Sequence, residues 1–302
     1  MEQQKVSPFV KWAGGKKKVL PYIQEYYPFD NNINKYIEPF VGGGAVLFDI
    51  INTFNLKEIY ISDTNKELIN AYRVIKKCPK DLIIVLTQLE NEFIPHTKEW
   101  RLNLYNEIRK QYNDLKKSYI NNLDIMLAAY FIFLNKTCFN GLYRVNQKDE
   151  FNVPMGEYKK PKICDDENIL RISKKLKNVI INCCDYQDTL KYIDSNTFVY
   201  LDPPYRPITK TSNFTTYTKE DFNDKDQENL AEYIKKIDML GGKFLLSNSD
   251  PKNEDINDDY FDELYKNFNI KRIEVGRSIN SNGKKRGKIN ELLIDNFKGD
   301  LS

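Results

Sequence analysis

Tyr36-Ile37-Glu38-Pro39-Phe40-Val41-Gly42-Gly43-Gly44-Ala45-Val46-Leu47-Phe48-Asp49-Ile50-Ile51 is the stretch on which the fold turns. Tyr36 to Glu38 reads as a short strand, and Pro39 to Gly44 as a glycine turn. Ala45 to Ile51 continues as an apolar, helix-like run. A second strand, Glu58 to Ser62, ends at Asp63. The helix predicted from Asn65 to Lys77 then sets Leu68, Ile69, Tyr72 and Ile75 on one face. Strand, glycine turn, helix, strand and acid in that order are the opening of a doubly wound α/β sheet.

Further along, the period changes. From about Pro79 to Asn135 the apolar spacing is helical, and Ile125 to Leu134 is apolar almost all round, as a buried helix must be. Leu142-Tyr143 and Phe151-Val153 flank a polar turn at Asn146 to Glu150, which predicts a β-hairpin within Phe139 to Pro161. The α/β pattern returns with strands at Val179 to Asn182, Phe198 to Leu201 and Lys243 to Leu246. Asp221 to Ile237 reads as a helix. Ile270 to Val275 and Glu291 to Asn296 suit two closing antiparallel strands. The expected organisation is one α/β core, split by a helical insert at about residues 79 to 165.

Composition narrows the class. The 41% hydrophobic and 29% charged shares are those of an ordinary globular chain of 302 residues, and the aromatics, Tyr 20 and Phe 17, argue against disorder. No apolar run approaches the roughly 20 residues of a membrane-spanning helix. Met1 to Pro8 lacks the apolar core of a secretory signal, so the expected location is cytoplasmic. The 5 cysteines, Cys78, Cys138, Cys164, Cys183 and Cys184, show no C-x-x-C pair, which disfavours a disulfide framework and a zinc site. The net charge of +3 says little. The basic runs Lys16-Lys17-Lys18, Lys159-Lys160-Pro161-Lys162, Lys174-Lys175 and Lys284-Lys285-Arg286, each taken alone, read as solvated faces. The single histidine, His96, has no partners for a triad or a metal, and is read as structural or incidental.

Chemistry enters at two places. Glycines at the end of a strand let the backbone come close to a ligand, and an acid about twenty residues on, here Asp63, accepts from ribose hydroxyls. That pair suits a nucleoside-containing cofactor without separating NAD from S-adenosylmethionine. Leu47 stands where the NAD fingerprint has its last glycine. The second place is Asp202-Pro203-Pro204-Tyr205, directly after an apolar strand. Two prolines stiffen the chain and carry no N–H. The Asp202 carboxylate and the Pro203 carbonyl form a pair of acceptors for the two N–H donors of an exocyclic amine. They draw the adenine amine nitrogen towards a tetrahedral, more nucleophilic state. Tyr205 offers a face for the base to stack on, a contact of about 1–3 kcal/mol per base. The bland alternative is a rigid loop with a capping acid. Its position downstream of the glycine turn and Asp63 favours the chemical reading.

The chain resembles the Dam-type DNA adenine-N6 methyltransferases of the GATC-modifying group, from Lys11 to about Asn296. Lys11-Trp12-Ala13-Gly14-Gly15-Lys16, Glu38 to Gly44 and Asp202 to Tyr205 look like that family's N-terminal, cofactor and catalytic motifs. Asn140-Gly141-Leu142-Tyr143-Arg144, Glu150 to Pro154, Asn213-Phe214-Thr215, and Ser281-Asn282-Gly283 with Glu291-Leu292-Leu293 are similar too. The insert lies between the glycine turn and D-P-P-Y, as in the α-class enzymes. The resemblance implies a Rossmann-like, S-adenosylmethionine-dependent methyltransferase fold with a helical plus β-hairpin target-recognition insert. Residues 1–78 and 166–302 would form the catalytic domain and 79–165 the DNA-binding one. Trp12, Lys16, Asp63 and Asp202 would contact S-adenosylmethionine, with Phe40, Gly42 and Gly44 beneath it and Tyr186 against its adenine. Arg144 would read a guanine of GATC and Lys11 the first guanine. Leu142, Pro154 and Tyr158 fall at neighbouring recognition positions, Phe139 at that of the aromatic inserted into the base stack, and Asn140 and Asn282 in matched DNA-facing segments. Tyr143 departs from members that carry a small residue there.

The mechanism so implied has the adenine of duplex DNA swung out of the helix, at a cost of a few kcal/mol, and methylated in line without a covalent intermediate or a metal. A monomer is the family default, and a cognate restriction endonuclease is a partner that the resemblance allows. An amino-methyltransferase acting on RNA or on a protein glutamine is the alternative, since related D/N-P-P-Y sites occur there. A DNA-binding module without activity is disfavoured by the intact motifs. A nicotinamide oxidoreductase is disfavoured by the lack of a residue set for hydride transfer.

Overall fold

The computed structural model describes residues 5–12, 14–30, 32–206, 222–276 and 288–297. Within them lies a sheet of seven strands: β1 (Lys35–Glu38), β2 (Glu58–Asp63), β3 (Val179–Cys183), β4 (Thr197–Leu201), β5 (Lys243–Ser249), β6 (Asn269–Gly276) and β7 (Lys288–Asp295). Their order is β3-β2-β1-β4-β5-β7-β6. β3, β2, β1, β4 and β5 run parallel, and β7 lies antiparallel between β5 and β6. The chain builds outward from β1 to β3, then returns to lay β4 on the other side of β1. The order therefore reverses between β1 and β4, which is where open α/β sheets bind their ligands.

Alternation along the strands sorts the core into two layers. Tyr36, Phe198, Tyr200, Leu245 and Leu293 enter one apolar cluster, while Ile37, Val199, Leu201, Phe244, Leu246, Leu292 and Ile294 enter the other. Such two-faced burial is what near-continuous apolar strands predict. The second cluster is closed by α8 (Asp224–Met239) and the short α9 (Tyr260–Leu264). A capping box of Asn223 with Asp226 starts α8, two residues or so beyond the expected Asp221. The first cluster takes in α2 (Ala45–Thr53) and α3 (Lys66–Lys77), and equally the helices of the insert, α4 (Pro79–Phe93), α5 (Lys98–Ser118) and α6 (Ile125–Thr137), followed by α7 (Asp166–Lys175). The short α1 (Leu20–Gln24) packs beside it. α6 is buried nearly throughout, among α3, α4 and α5.

The expected β-hairpin is reduced to two isolated antiparallel bridges, Cys138 with Met155 and Val145 with Phe151. Side chains of α5 have taken the backbone groups that a ladder needs. Asn113 accepts from the Phe151 N–H at 2.8 Å and donates to its carbonyl at 3.2 Å, and the Tyr105 hydroxyl donates to the Val153 carbonyl at 2.7 Å. The turn survives, because Asn146 Oδ1 accepts from the Lys148 and Glu150 amides. No helix among the described residues is long and apolar enough to cross a membrane.

Candidate active site at the β1–β4 switch

β1 runs out at Glu38 into the glycine turn. Gly42 has φ +47°, a left-handed conformation that glycine alone adopts without strain. Its N–H donates to Asp63 Oδ2 at 3.0 Å, and the Asn65 amide donates to Asp63 Oδ1 at 2.9 Å. The two amides fix the acid at the end of β2. Desolvation pushes the Asp63 carboxyl above its ordinary range, against the pull of these N–H groups. Trp12 lies on the turn: a Cβ at Gly42 would stand 2.7 Å from Trp12 Cδ1, and one at Gly43 2.9 Å from Trp12 Cβ. The indole stacks on Tyr143, with centroids 5.6 Å apart and planes at 24°. Phe40 packs on Tyr186 at 5.3 Å, and Tyr186 meets Tyr233 edge-on.

Next door, β4 ends in Asp202. Lys16, from the turn at Lys16–Lys18, sets its ammonium 2.9 Å from Asp202 Oδ1. Ser247 of β5 donates to the same oxygen at 3.3 Å and is itself paired with the Tyr200 hydroxyl at 3.0 Å. The Tyr205 hydroxyl is bonded to Lys16 and also donates to Glu291 Oε2 of β7 at 3.2 Å. The Lys16 ammonium is 3.8 Å from that glutamate oxygen. Burial opposes the Lys16 charge, but Asp202, Tyr205 and Glu291 outweigh it and hold its pKa above the usual lysine range. Burial likewise raises the carboxyls of Asp202 and Glu291, with Lys16 pulling both back down. Pro203 is buried, and the carbonyl of the exposed Pro204 accepts from Gln227 at 3.5 Å. The glycine turn, Asp63 and the D-P-P-Y segment, separated in sequence, thus meet at the carboxyl ends of neighbouring strands.

A second set of expected residues gathers on the insert. Asn135 of α6 accepts from the Lys11 N–H at 2.8 Å and donates to the carbonyls of Lys11 at 2.8 Å and Gly141 at 3.0 Å. The Lys11 side chain crosses Gly141, where a Cβ would come within 2.7 Å of Lys11 Cβ. It ends over the Tyr158 ring, donating to its hydroxyl at 3.2 Å. Phe139 is 52% exposed, Asn140 beside it has φ +56°, and the Phe139 N–H donates to the Pro154 carbonyl at 2.9 Å. Leu142 follows, half-buried. Arg144 is held across the segment, its Nε donating to Asn152 Oδ1 at 2.8 Å and its Nη2 to the Asn152 carbonyl at 3.4 Å. Asn282 and the Asn213–Thr215 match lie outside the described residues. His96 stacks on Trp100 at 4.0 Å, as a structural residue would.

Sequence reasoning missed several participants. Asn135 had left a signal, a lone amide inside an otherwise apolar helix. Ser247 closed a strand and Glu291 stood in a matched segment, but neither spacing assigned a role. Glu67 and Lys116 left no signal. They form a pair at 3.7 Å beneath Tyr143, whose hydroxyl donates to Glu67 Oε2 at 3.3 Å. Tyr143, the departure in the recognition motif, is thereby accounted for: it bridges Trp12 above the glycine turn to this buried pair.

Comparison with known proteins agrees with the geometry. The family model described as D12 class N6 adenine-specific DNA methyltransferase matches residues 12–279. The chain is 49% identical over 297 residues to the type II methyltransferase M.MjaIII of Methanocaldococcus jannaschii, covering 97% of this chain and 99% of that protein. It is 40% identical over 292 residues to the type II methyltransferase M1.LlaDCHI of Lactococcus lactis, covering 96% and 95%. The DNA adenine methylase of Escherichia coli is 33% identical over 285 residues, covering 94% and 93%.

Proposed function

The chain belongs to the D12 class N6 adenine-specific DNA methyltransferases, and from that premise we propose that the cluster at the β1–β4 switch is where the methyl moves, with S-adenosylmethionine as donor and GATC as target. The observation that carries this reading is the Lys16–Asp202 pair at 2.9 Å, at the switch where the D-P-P-Y segment adjoins the glycine turn. Methylation of the adenine amine in DNA is the activity of the family.

The donor set fits S-adenosylmethionine. Asp63 keeps free lone pairs for ribose hydroxyls, the Phe40–Tyr186 pair offers an aromatic face for adenine, and Trp12, Lys16, Gly42 and Gly44 frame the turn. When bound, the donor supplies an electrophilic methyl on a sulfonium sulfur. Asp202 and the Pro203 carbonyl take the two N–H donors of the amine, and Tyr205 stacks on the flipped base. Holding the nucleophile at the electrophile removes the entropic part of the barrier, and the acidic surround favours the positive charge that develops on nitrogen. Residues 79–165 form the recognition unit, with catalytic residues from 1–78 and 166–302. Lys11, Phe139, Asn140, Leu142, Arg144, Pro154, Tyr158 and Asn282 bind DNA, and Arg144 reads a guanine with a discrimination of about 1–3 kcal/mol. The protein acts as a cytoplasmic monomer, in the cell beside a cognate restriction endonuclease.

Asp202→Ala should abolish methyl transfer to DNA while the protein still melts cooperatively. Turnover at the wild-type rate refutes the assignment of Asp202. Plasmid from a host lacking adenine methylation, treated with the enzyme and digested with nucleases of different methyl sensitivity, reads out the target. Protection at a site other than GATC overturns that part.

A further inference from the structure

Lys16 has more negative charge around it than a simple ion pair needs. Its ammonium faces Asp202 at 2.9 Å and Glu291 at 3.8 Å, with the Tyr205 hydroxyl bonded to it and donating to Glu291 at 3.2 Å. Lys16 itself is 3% exposed. Glu291 reaches the cluster from β7, opposite Ser249 of β5 and Ile273 of β6. The described cluster of one ammonium and two carboxylates carries a single net negative charge. That surplus poses two questions. Asp202 Oδ1 is already taken by Lys16 and Ser247, so an entering amine is left the other carboxylate oxygen, beside the lysine ammonium. A lysine charge beside the amine also opposes the positive charge that methylation puts on nitrogen.

We propose that Glu291 answers both, as a positioning residue for methyl transfer that acts through Lys16 and rests on the assignment of Asp202 given above. Glu291 is the second seat for the Lys16 ammonium: as Asp202 turns to the amine, Lys16 shifts the short distance onto Glu291 and stays neutralised. The remaining charge balance of minus one then matches the reaction. The amine lone pair forms the new nitrogen–carbon bond as the pair of the breaking sulfur–carbon bond stays on sulfur, and the positive nitrogen releases one proton to water. Through the whole transfer Lys16 keeps a carboxylate partner and Asp202 keeps a free oxygen. Without Glu291, Asp202 is the one carboxylate of this cluster left to Lys16, and the lysine charge stays beside the amine.

Two measurements test this. In single-turnover methylation of duplex DNA, Glu291→Gln should slow the chemical step by about tenfold to a hundredfold, less than the roughly hundredfold to thousandfold of losing a group in direct contact with the developing charge, because Glu291 acts through Lys16. Cofactor and DNA affinities should stay within about threefold, since a group acting in the transition state leaves ground-state binding alone. Glu291→Asp, which keeps the carboxylate, should recover most of the rate. In the ligand-free protein, urea unfolding of the wild type, Glu291→Gln, Lys16→Met and the double variant closes a cycle. Glu291→Gln should destabilise the wild type yet stabilise the Lys16→Met protein, where it relieves two carboxylates left without their cation. A Glu291→Gln enzyme at wild-type rate, a loss confined to binding, no recovery in Glu291→Asp, or additive stabilities each overturn the proposal. The cycle does not depend on the assignment of Asp202. That assignment fails separately, if Asp202→Ala still methylates DNA.

Discussion

Replacing Gly42 by alanine should cost this protein stability in two separable parts. The first is conformational: at φ +47° an L-residue is strained, and the left-handed region costs a non-glycine residue roughly 1–2 kcal/mol. The second is steric. The new methyl would lie 2.7 Å from Trp12 Cδ1 and 2.9 Å from its Nε1, so the indole must retreat by close to an ångström. Trp12 is stacked on Tyr143 at 5.6 Å and tilted against Phe131 at 6.3 Å, and losing such aromatic contacts costs about 0.5–1.5 kcal/mol each. The sum is about 2–5 kcal/mol. Gly14→Ala separates the parts, because Gly14 has φ +72° with nothing within 4 Å of its would-be Cβ. It should show the backbone part alone, roughly 1–2 kcal/mol. Urea unfolding followed by tryptophan fluorescence measures both variants, and Trp12 reports on its own displacement. Cofactor affinity, by titration, should fall for Gly42→Ala and hold for Gly14→Ala, which leaves Asp63 and the turn alone. If Gly42→Ala is no less stable than Gly14→Ala, the indole does not rest on the turn as described.

Two further outcomes follow from buried polar groups. Asn135→Ala removes one side chain that satisfies Lys11 N–H, Lys11 C=O and Gly141 C=O. A fully buried group left unpaired costs about 1–3 kcal/mol; with the Gly141 bond buried and the two Lys11 bonds part-buried, unfolding should weaken by at least about 3 kcal/mol and DNA affinity should drop as Lys11 leaves Tyr158. A stability within error of wild type refutes the tie. Glu38, 2% exposed, accepts from the Tyr36 hydroxyl at 2.8 Å, and burial raises its carboxyl well above 4.5. The folded protein therefore holds a proton that the unfolded chain releases once the pH passes the ordinary value. The resulting stability is complete below 4.5 and declines as pH rises towards the folded value, by up to about 1.4 kcal/mol per unit. Glu38→Gln cannot titrate, so its unfolding free energy should lose this slope as the pH rises above 4.5. Parallel pH curves for the two proteins contradict a protonated Glu38.

Much of the architecture was written in local pattern. Glycine turn, helix and Asp63 in sequence require a β1–α2–β2 unit, because backbone conformation and strand alternation are decided within a few residues. Ile125 to Leu134, apolar on every side, admits burial and little else. The D-P-P-Y segment marks the end of a strand by its own stiffness. What no local pattern holds is which side chains meet once the strands are ordered. Placing β4 beside β1 and β7 beside β5 brings Lys16 to Asp202 and Glu291, residues from opposite ends of the chain. The same assembly let Asn113 and Tyr105 claim the backbone of residues 151–153, so the turn formed as expected but the hairpin ladder did not. Hydrogen bonds and ion pairs are short-ranged in space but indifferent to distance along the chain. For that reason local pattern set the scaffold and the D-P-P-Y segment at its strand end, while the charge balance around Lys16 and the seat of Trp12 arose only when distant strands came together.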